Sequence, residues 1–271
     1  MPTLKNKFIV HPLHEAATGS LDLVVPPMTS LEKSKQLVSR LAPLGPPIID
    51  DDGNERIIDW RLPGGGAATV YRTSFLTLQP GEWLNDEVMN GYANVLNMKY
   101  YYNNMGASKC FVVSSMLLQK IAEPGQYARV VRRWLPGIDI FALDKLLFLY
   151  NIGNSHWALV HVDIYRKRIE YIDSMGSEET TAIKWVWMYL NDVYEKNTDT
   201  LLEEGWTYYC YGSSTPQQSD GNNCGVFALV TADYILSDLP LHFRGRDMLN
   251  FRNKIAYCLL QNGGGVTLSD I

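Results

Sequence analysis

The chain has 271 residues, of which 46% are hydrophobic and 11% are aromatic. This length and composition suit one globular domain of catalytic size with a full core. The formal net charge of -5 leaves no excess of the basic residues with which proteins grip a phosphate backbone. We therefore expect a protein or a small molecule as the substrate, and no nucleic acid as a partner.

The four cysteines, Cys110, Cys210, Cys224 and Cys258, lie far apart in the sequence and form no CxxC pair. This spacing argues against a disulfide framework and against a zinc site, and favours a reducing compartment. No apolar run approaches the length of a membrane-spanning helix. We expect an intracellular protein of the nucleus and/or cytoplasm, with no metal and no membrane partner.

The sequence divides into two unequal regions. Residues 1–66 are interrupted by proline, glycine and aspartate clusters and are expected to be a partly ordered N-terminal extension, with one short helix over 29–41. His11 and His14 lie there without a further ligand nearby, so we do not expect a metal site. Residues 67–271 have the denser pattern of a folded catalytic domain.

The pattern from residue 68 onward predicts an α+β fold, with a sheet covered by helices. A strand is predicted over 68–78, and a helix is predicted to begin at Asn85. Further along the chain, the pattern predicts a buried strand over 146–150, a hairpin of strands 156–162 and 168–173, and a helix over 181–195.

The stretch PQQSDGNNCGVF, residues 216–227, places Cys224 between a polar loop and an apolar run of helical spacing. Cys224 is thus predicted in the first turn of a helix. There the free backbone N–H groups and the helix dipole stabilise a thiolate, which is the nucleophilic form of cysteine. A buried structural cysteine is the alternative, and this stretch alone favours that alternative.

The predicted hairpin offers a base for this nucleophile. His156 opens its first strand and Asp173 closes its second, so pairing of the strands brings the two side chains roughly opposite each other. Asp173 would then orient the imidazole, and His156 would accept the proton of Cys224. Polar residues at the ends of a hairpin are the alternative. His161 is expected in the core, and His242 in a loop without a partner.

A glutamine upstream of the cysteine is a candidate for the oxyanion hole. Gln218 precedes Cys224 by six residues, and its amide, together with the Cys224 backbone N–H, can donate to the developing negative charge. Gln217 competes for this role. Gly221 and Gly225 allow close approach of the backbone.

In this order and spacing, GEWLND (81–86), RRW (132–134), NSHWALV (154–160), IEYIDS (169–174) and PQQSDGNNCGVF resemble the Ulp/SENP family of SUMO-specific cysteine proteases. The resemblance covers roughly residues 69–261 and implies a papain-like cysteine protease fold. In that fold a mostly antiparallel central sheet is packed by helices, and the nucleophile lies at a helix N-terminus. One departure is Asn223, which stands where family members usually have aspartate. Another is PQQSDG, which replaces the more common PQQ-x-NG.

The resemblance implies a role for each matching residue. Cys224, His156 and Asp173 match the catalytic triad, and Gln218 matches the oxyanion glutamine. Three further residues match substrate-binding positions: Trp83 and Trp157, which would cover the Gly-Gly tail of the substrate, and Asp86, which would contact a basic residue near that tail. For Trp134, core packing is the preferred interpretation.

The implied activity is cleavage after the C-terminal Gly-Gly of a ubiquitin-like protein, with SUMO and its conjugates as the expected partners. It would mature the SUMO precursor, release SUMO from lysine conjugates, or both, as a monomer and without a cofactor. A hydrolase of NEDD8 or ubiquitin on the same scaffold is one alternative, and a catalytically silent binding module is another. An acetyltransferase of related triad layout is less favoured, since it would not need the two tryptophans.

Overall fold

The computed structural model describes residues 48–63, 67–133, 135, 137–261 and 265–271. The helix expected over 29–41, the histidine pair near the N-terminus and Trp134 lie outside the described residues.

A small antiparallel sheet begins the described part of the chain. Its strands, in spatial and chain order, are β1 (Ile48–Ile49), β2 (Glu55–Arg61) and β3 (Ala67–Tyr71). Ile58 of β2 pairs with Val70 of β3, and both are buried in the main core. Strand β2 therefore packs with the region assigned to the catalytic domain, although it precedes the boundary predicted at residue 67. The division into domains stays a prediction.

The strand predicted over 68–78 is wrong beyond Tyr71. The chain turns there into a short helix, α1 (Arg72–Phe75), and a 3-10 turn, Leu76–Leu78. Phe75 and Leu78 are both buried and three residues apart, which is helical spacing.

Helix α2 (Asp86–Asn97) begins where it was predicted. The Asn85 side chain caps it by accepting a hydrogen bond from the backbone N–H of Val88, at 3.2 Å. Its apolar face is buried in the main core, and Met98–Tyr102 extends it by a π-helical turn. The cap fixes the place where the chain leaves the segment that contains Trp83.

The central sheet has five strands in spatial and chain order: β4 (Cys110–Val113), β5 (Lys145–Ile152), β6 (His156–Asp163), β7 (Arg168–Ile172) and β8 (Thr207–Cys210). The buried strand and the hairpin are confirmed as β5 and as β6 with β7. The pairings β5–β6 and β6–β7 are antiparallel, whereas β4–β5 and β7–β8 are parallel. The sheet is therefore mixed rather than mostly antiparallel.

Helices cover the central sheet, as the α+β prediction requires. Alternate residues of β5 divide between two cores, with Leu147 in one and Phe148 in the other. The core around Leu147 also contains α2, α6 (Cys224–Leu236) and α7 (Met248–Leu260); the core around Phe148 contains α3 (Met116–Ala122), α4 (Tyr127–Arg133) and α5 (Thr181–Thr198). Helix α5 confirms the helix predicted over 181–195 and extends three residues further.

Candidate active site

Cys224 is the first residue of α6, as predicted, and only 4% of it is exposed. Helix α6 lies within the main core with eleven of its thirteen residues buried, so its position is fixed by packing on most sides. Asn223 precedes it without a side-chain cap. The first N–H groups of the helix, at the positive end of its dipole, are therefore oriented towards the sulfur region.

The β6–β7 hairpin brings His156 and Asp173 together. The imidazole Nε2 of His156 and the Oδ1 of Asp173 are 2.7 Å apart. The register pairs Leu159 with Ile172, so Asp173 lies one residue beyond β7 and meets His156 diagonally rather than directly opposite it. With Nε2 used by Asp173, Nδ1 is the ring nitrogen left for the Cys224 thiol. The two side chains are close enough that each shifts the pKa of the other.

Hydrogen bonds from several directions hold the Asp173 carboxylate in place. It is 1% exposed and accepts from the backbone N–H of Met175 at 2.8 Å, from the Tyr171 hydroxyl at 3.2 Å, and from the Ser177 hydroxyl. Burial acts to raise the pKa of Asp173, but the hydrogen bonds from His156, Ser177 and Met175 outweigh it and lower that pKa. The carboxylate is therefore charged and fixed where it orients the imidazole.

The pKa values of His156 and Cys224 favour an ion pair. Burial acts to lower the pKa of the His156 imidazolium, but hydrogen bonds to Asp173 and Cys224 outweigh burial and raise it to about 9. Burial acts to raise the pKa of the Cys224 thiol, but His156 and the backbone N–H groups of Trp157 and Gly225 lower it below its ordinary value. The lowered pKa of the thiol and the raised pKa of the imidazolium both favour the thiolate–imidazolium form of the pair.

The other three cysteines have the opposite environment. Burial raises the pKa of Cys110 and of Cys258 to about 12, and that of Cys210 to about 11. All three are free thiols, as is Cys224. Since the thiolate is the nucleophile, Cys224 is the one cysteine of this chain suited to attack a carbonyl.

The loop before Cys224 packs against the residues that follow Asp173. Gln218 donates its backbone N–H to the carbonyl of Ser174 at 2.8 Å, and its Oε1 accepts from the Ser174 hydroxyl at 2.6 Å. Its Nε2 donates one hydrogen bond to the carbonyl of Asp220 at 2.6 Å. Gln217 instead turns its Nε2 towards backbone carbonyls, at 3.0 Å from that of Thr215. Of the two glutamines, Gln218 has the amide whose second N–H is a candidate oxyanion donor.

We expect Gln218→Ala to lower kcat by about 10²–10³ while changing KM much less. One donor directed at the developing oxyanion typically accounts for about that loss, because its bond strengthens only as the charge develops. Steady-state kinetics on a Gly-Gly substrate measure both constants. A change confined to KM would instead identify Gln218 as a binding-loop residue.

Gln261→Ala is the matched control for this experiment. Gln261 is exposed at the end of α7, and its replacement removes an amide of the same size at a surface position. The kcat of the Gln261→Ala variant should equal that of the wild-type protein.

Trp157 and the segment that contains Trp83 lie near the start of α6. Trp157 is buried, and its indole Nε1 donates to the carbonyl of Leu84 at 2.8 Å. Trp83, the neighbour of Leu84, is 53% exposed. At Gly225 a Cβ atom would lie 3.0 Å from the Cβ of Leu84 and 3.2 Å from Cδ1 of Trp157, which explains a glycine there. A buried indole therefore lies at the start of α6, and an exposed indole lies one residue before Leu84, which contacts both Trp157 and the start of α6.

Asp86 is exposed as the first residue of α2. Its carboxylate stabilises the positive end of that helix, and it lies three residues after the exposed Trp83. This position leaves the charge accessible to a basic partner.

The remaining predicted histidines lie apart from this site. His161 is buried as expected, and its Nδ1 is 2.7 Å from the Oε2 of Glu170, although its Nε2 has no partner. His242 is exposed in the loop between α6 and α7. Among the residues that the structure describes, no three histidine, cysteine or acidic side chains come together to form a metal site.

Arg252 is a residue of this site that the sequence analysis missed. It lies in α7, yet its guanidinium contacts the residues that directly precede Cys224 and Trp83. No local pattern could have identified it, since three of its hydrogen-bond partners, Thr77, Gln79 and Glu82, are 170 or more residues away in the sequence.

The family model and the curated relatives that match this chain agree on one protein family. Residues 82–262 match the model of the Ulp1 protease family, C-terminal catalytic domain. Sentrin-specific protease 2 of Rattus norvegicus is 35% identical over 195 residues, which cover 70% of this chain and 32% of the rat protein. Ubiquitin-like-specific protease 1 of Saccharomyces cerevisiae is 30% identical over 189 residues, covering 69% of this chain and 28% of the yeast protein. The chain spans about a third of the length of these curated relatives.

Solved structures share the fold. The C-terminal Ulp1 protease domain in complex with Smt3, the yeast ortholog of SUMO, has a TM-score of 0.66 at 22% identity, covering 88% of this chain and 98% of that chain. The catalytic domain of the Ulp1-like SUMO protease of Chaetomium thermophilum has a TM-score of 0.64 at 21% identity, covering 91% and 96%. At these identities the similarity concerns the fold alone. Within the described residues, no helix combines the length and the apolarity needed to cross a membrane.

Proposed function

Because the chain belongs to the Ulp1 protease family, we propose that it is a cysteine protease that cuts after the C-terminal Gly-Gly of SUMO. The observation that carries this proposal is the pair of His156 and Asp173, 2.7 Å apart, next to Cys224, whose pKa His156 lowers. A nucleophile, a base and an orienting carboxylate in this order are what acyl transfer requires.

The proposed reaction has two halves. The Cys224 thiolate attacks the carbonyl carbon of the last glycine, and the oxyanion accepts hydrogen bonds from the Cys224 backbone N–H and from Gln218. The His156 imidazolium gives its proton to the departing amine as the C–N bond breaks, which leaves a thioester on Cys224. A water molecule then attacks the thioester, His156 accepts its proton, and the thiolate leaves.

The substrate class rests on the two indoles and on the relatives. We expect a flat glycine backbone to lie between the buried Trp157 and the exposed Trp83, where a side chain would overlap an indole. The similar proteins are named for sentrin or for ubiquitin-like proteins, and one solved relative is bound to Smt3, the yeast ortholog of SUMO. Asp86 would contact a basic residue of SUMO near its tail, and both precursor maturation and release from lysine conjugates use the same chemistry.

We also propose an intracellular location, in the nucleus and/or cytoplasm, where such conjugates occur. All four thiols are free, which suits a reducing compartment.

A panel of matched substrates tests the proposal. SUMO, NEDD8 and ubiquitin would carry the same reporter after Gly-Gly, and SUMO would also be prepared with a Gly-Ala tail. We expect kcat/KM to be highest for SUMO with Gly-Gly. The Gly-Ala tail should be cut at least about ten-fold more slowly, since overpacking costs about 1–3 kcal/mol and also displaces the carbonyl from the sulfur.

Trp83→Ala is the matched variant for this panel. Its exposed indole can be removed without losing a core contact, whereas Trp157→Ala would also break the bond to Leu84. Trp83→Ala should lower the rate on Gly-Gly and narrow the difference between the two tails. Faster cleavage of NEDD8 or ubiquitin would overturn the substrate, and equal rates on both tails would overturn the role of the indoles.

A further inference from the structure

Arg252 of α7 is 2% exposed, and each of its five guanidinium N–H groups has an acceptor. The acceptors are four carbonyl oxygens and one side-chain amide oxygen, none of which carries a full charge. They are the Asn223 Oδ1 at 2.9 Å from Nε, the Thr77 and Gln79 carbonyls at 2.9 and 3.0 Å from Nη1, and the Glu82 and Asn222 carbonyls at 2.7 and 2.9 Å from Nη2.

A buried cation in this place is costly. Burial lowers the pKa of Arg252 to about 10, although the negative charges of Asp220, Cys224 and Glu82 act in the opposite direction. An apolar side chain of similar volume would fill the same space without that desolvation cost. Packing alone therefore does not explain the guanidinium.

The five acceptors belong to two segments that border the site. Three of them lie in the Trp83 segment, residues 77–84, which also receives the indole N–H of Trp157 at Leu84. The other two lie in the Cys224 turn, residues 220–223, which leads directly into α6. Arg252 therefore connects the segment of an exposed tail-binding indole to the turn that places the nucleophile.

The Cys224 turn is held from its other side by Asp220. The Oδ1 of Asp220 accepts from the backbone N–H groups of Asn222 and Asn223, at 3.0 and 2.9 Å. The Asn223 side-chain amide donates its Nδ2 to Asp220 at 2.9 Å and accepts from Arg252 through Oδ1. A single orientation of the Asn223 amide satisfies both Asp220 and Arg252. The neutral amide therefore links the Asp220 carboxylate to the Arg252 guanidinium and holds the Cys224 turn in place.

We propose that Arg252 is a positioning residue that holds the Trp83 segment against the Cys224 turn. It thereby keeps the distance between the bound substrate tail and the attacking sulfur constant. This inference rests on the proposed function and adds a residue outside the triad that sets the reaction geometry. The planar fork of arginine reaches acceptors on two segments at once, whereas the ammonium of lysine is a compact point charge with three donors.

Arg252→Lys tests the inference because it keeps the charge and loses the fork. We expect kcat/KM on the Gly-Gly substrate to fall by about 10², the effect of a misplacement of about 1 Å. The pH midpoint for alkylation of Cys224 by iodoacetamide should rise, because the turn no longer holds the sulfur against its hydrogen-bond donors. The ratio of the Gly-Gly to the Gly-Ala rate should also decrease, because the Trp83 segment is released.

Lys99→Met is the matched control, since Lys99 is also a buried cation. It donates to Thr267, Ser269 and Asp270 near the C-terminus of the chain, at 3.0, 3.1 and 2.7 Å. This variant should lower Tm and leave the alkylation midpoint and the tail ratio unchanged. If Arg252→Lys lowered Tm and left these two readouts unchanged as well, Arg252 would be structural only and the inference would be overturned.

Asn223→Ala keeps the test decisive if Arg252→Lys does not fold. It removes one of the five acceptors and the amide link to Asp220, so its alkylation midpoint should also rise, with a smaller loss of about ten-fold in rate. An unchanged midpoint in this variant would contradict the inference. The alkylation measurement needs no proteolytic substrate. If the wild-type protein cleaved no Gly-Gly tail, the proposed function would be overturned, and the alkylation midpoints would still test the role of Arg252.

Discussion

Replacing Cys224 with alanine should reduce kcat by about a million-fold, the loss typical of removing the nucleophile from a group of residues that act together. The reason is that no second thiol can substitute: the pKa values of Cys110, Cys210 and Cys258 are all raised by burial, and that of Cys224 is lowered. Single-turnover cleavage of the SUMO substrate measures the loss. Binding of SUMO, measured by calorimetry, should persist, because both indoles remain in place.

Cys210→Ala is the sharpest control for this experiment. Cys210 is half-buried at the end of β8, so its removal costs little packing, whereas Cys110 and Cys258 are fully buried in the main core. All three alanine variants should retain the chemistry, although the two core variants should be less stable. A Cys224→Ala protein that cleaved at near the original rate would show that another residue is the nucleophile.

Much of the site could be predicted because its parts have local signals. Helix α6 follows from the apolar spacing after Cys224, and the hairpin follows from two short apolar runs around a polar turn. The diagonal meeting of His156 with Asp173 could not be predicted, because register depends on the paired strand and the sequence gives only approximate strand ends.

Features that depend on distant partners were not predictable. The parallel strands β4 and β8 pair with strands that are separated from them by long connections, and no local pattern reports that direction. The turn into α1 was missed because threonine and aromatic residues favour a strand, whereas Phe75 and Leu78 are buried in the main core at helical spacing. The role of Arg252 was not predictable for the same reason, because its acceptors are set by how α7 packs beside the Trp83 segment. In addition, charged residues in helices are usually exposed, so a buried arginine is not the expected interpretation.

Removing the orienting carboxylate should be the second largest effect. We expect Asp173→Ala to lower kcat by about 10⁴, close to the loss found when the aspartate of a triad is deleted. The substitution removes the acceptor that Met175, Tyr171 and Ser177 hold in place, so the imidazole of His156 loses its orientation and its charge partner. Asp173→Asn should lose less, because an amide oxygen can still accept from the imidazole.

The pH dependence of kcat/KM distinguishes this role from a loss of stability. The active pair of thiolate and imidazolium exists between the lowered pKa of Cys224 and the raised pKa of His156, about 9. The hydrogen bond to Asp173 and its charge are causes of the His156 shift, so removing them lowers that pKa and moves the basic limb to lower pH. Ser177→Ala, which deletes one hydrogen bond to Asp173 and keeps the carboxylate, should shift the limb far less. An Asp173→Ala protein within ten-fold of the original rate and with an unshifted basic limb would show that His156 is oriented without Asp173.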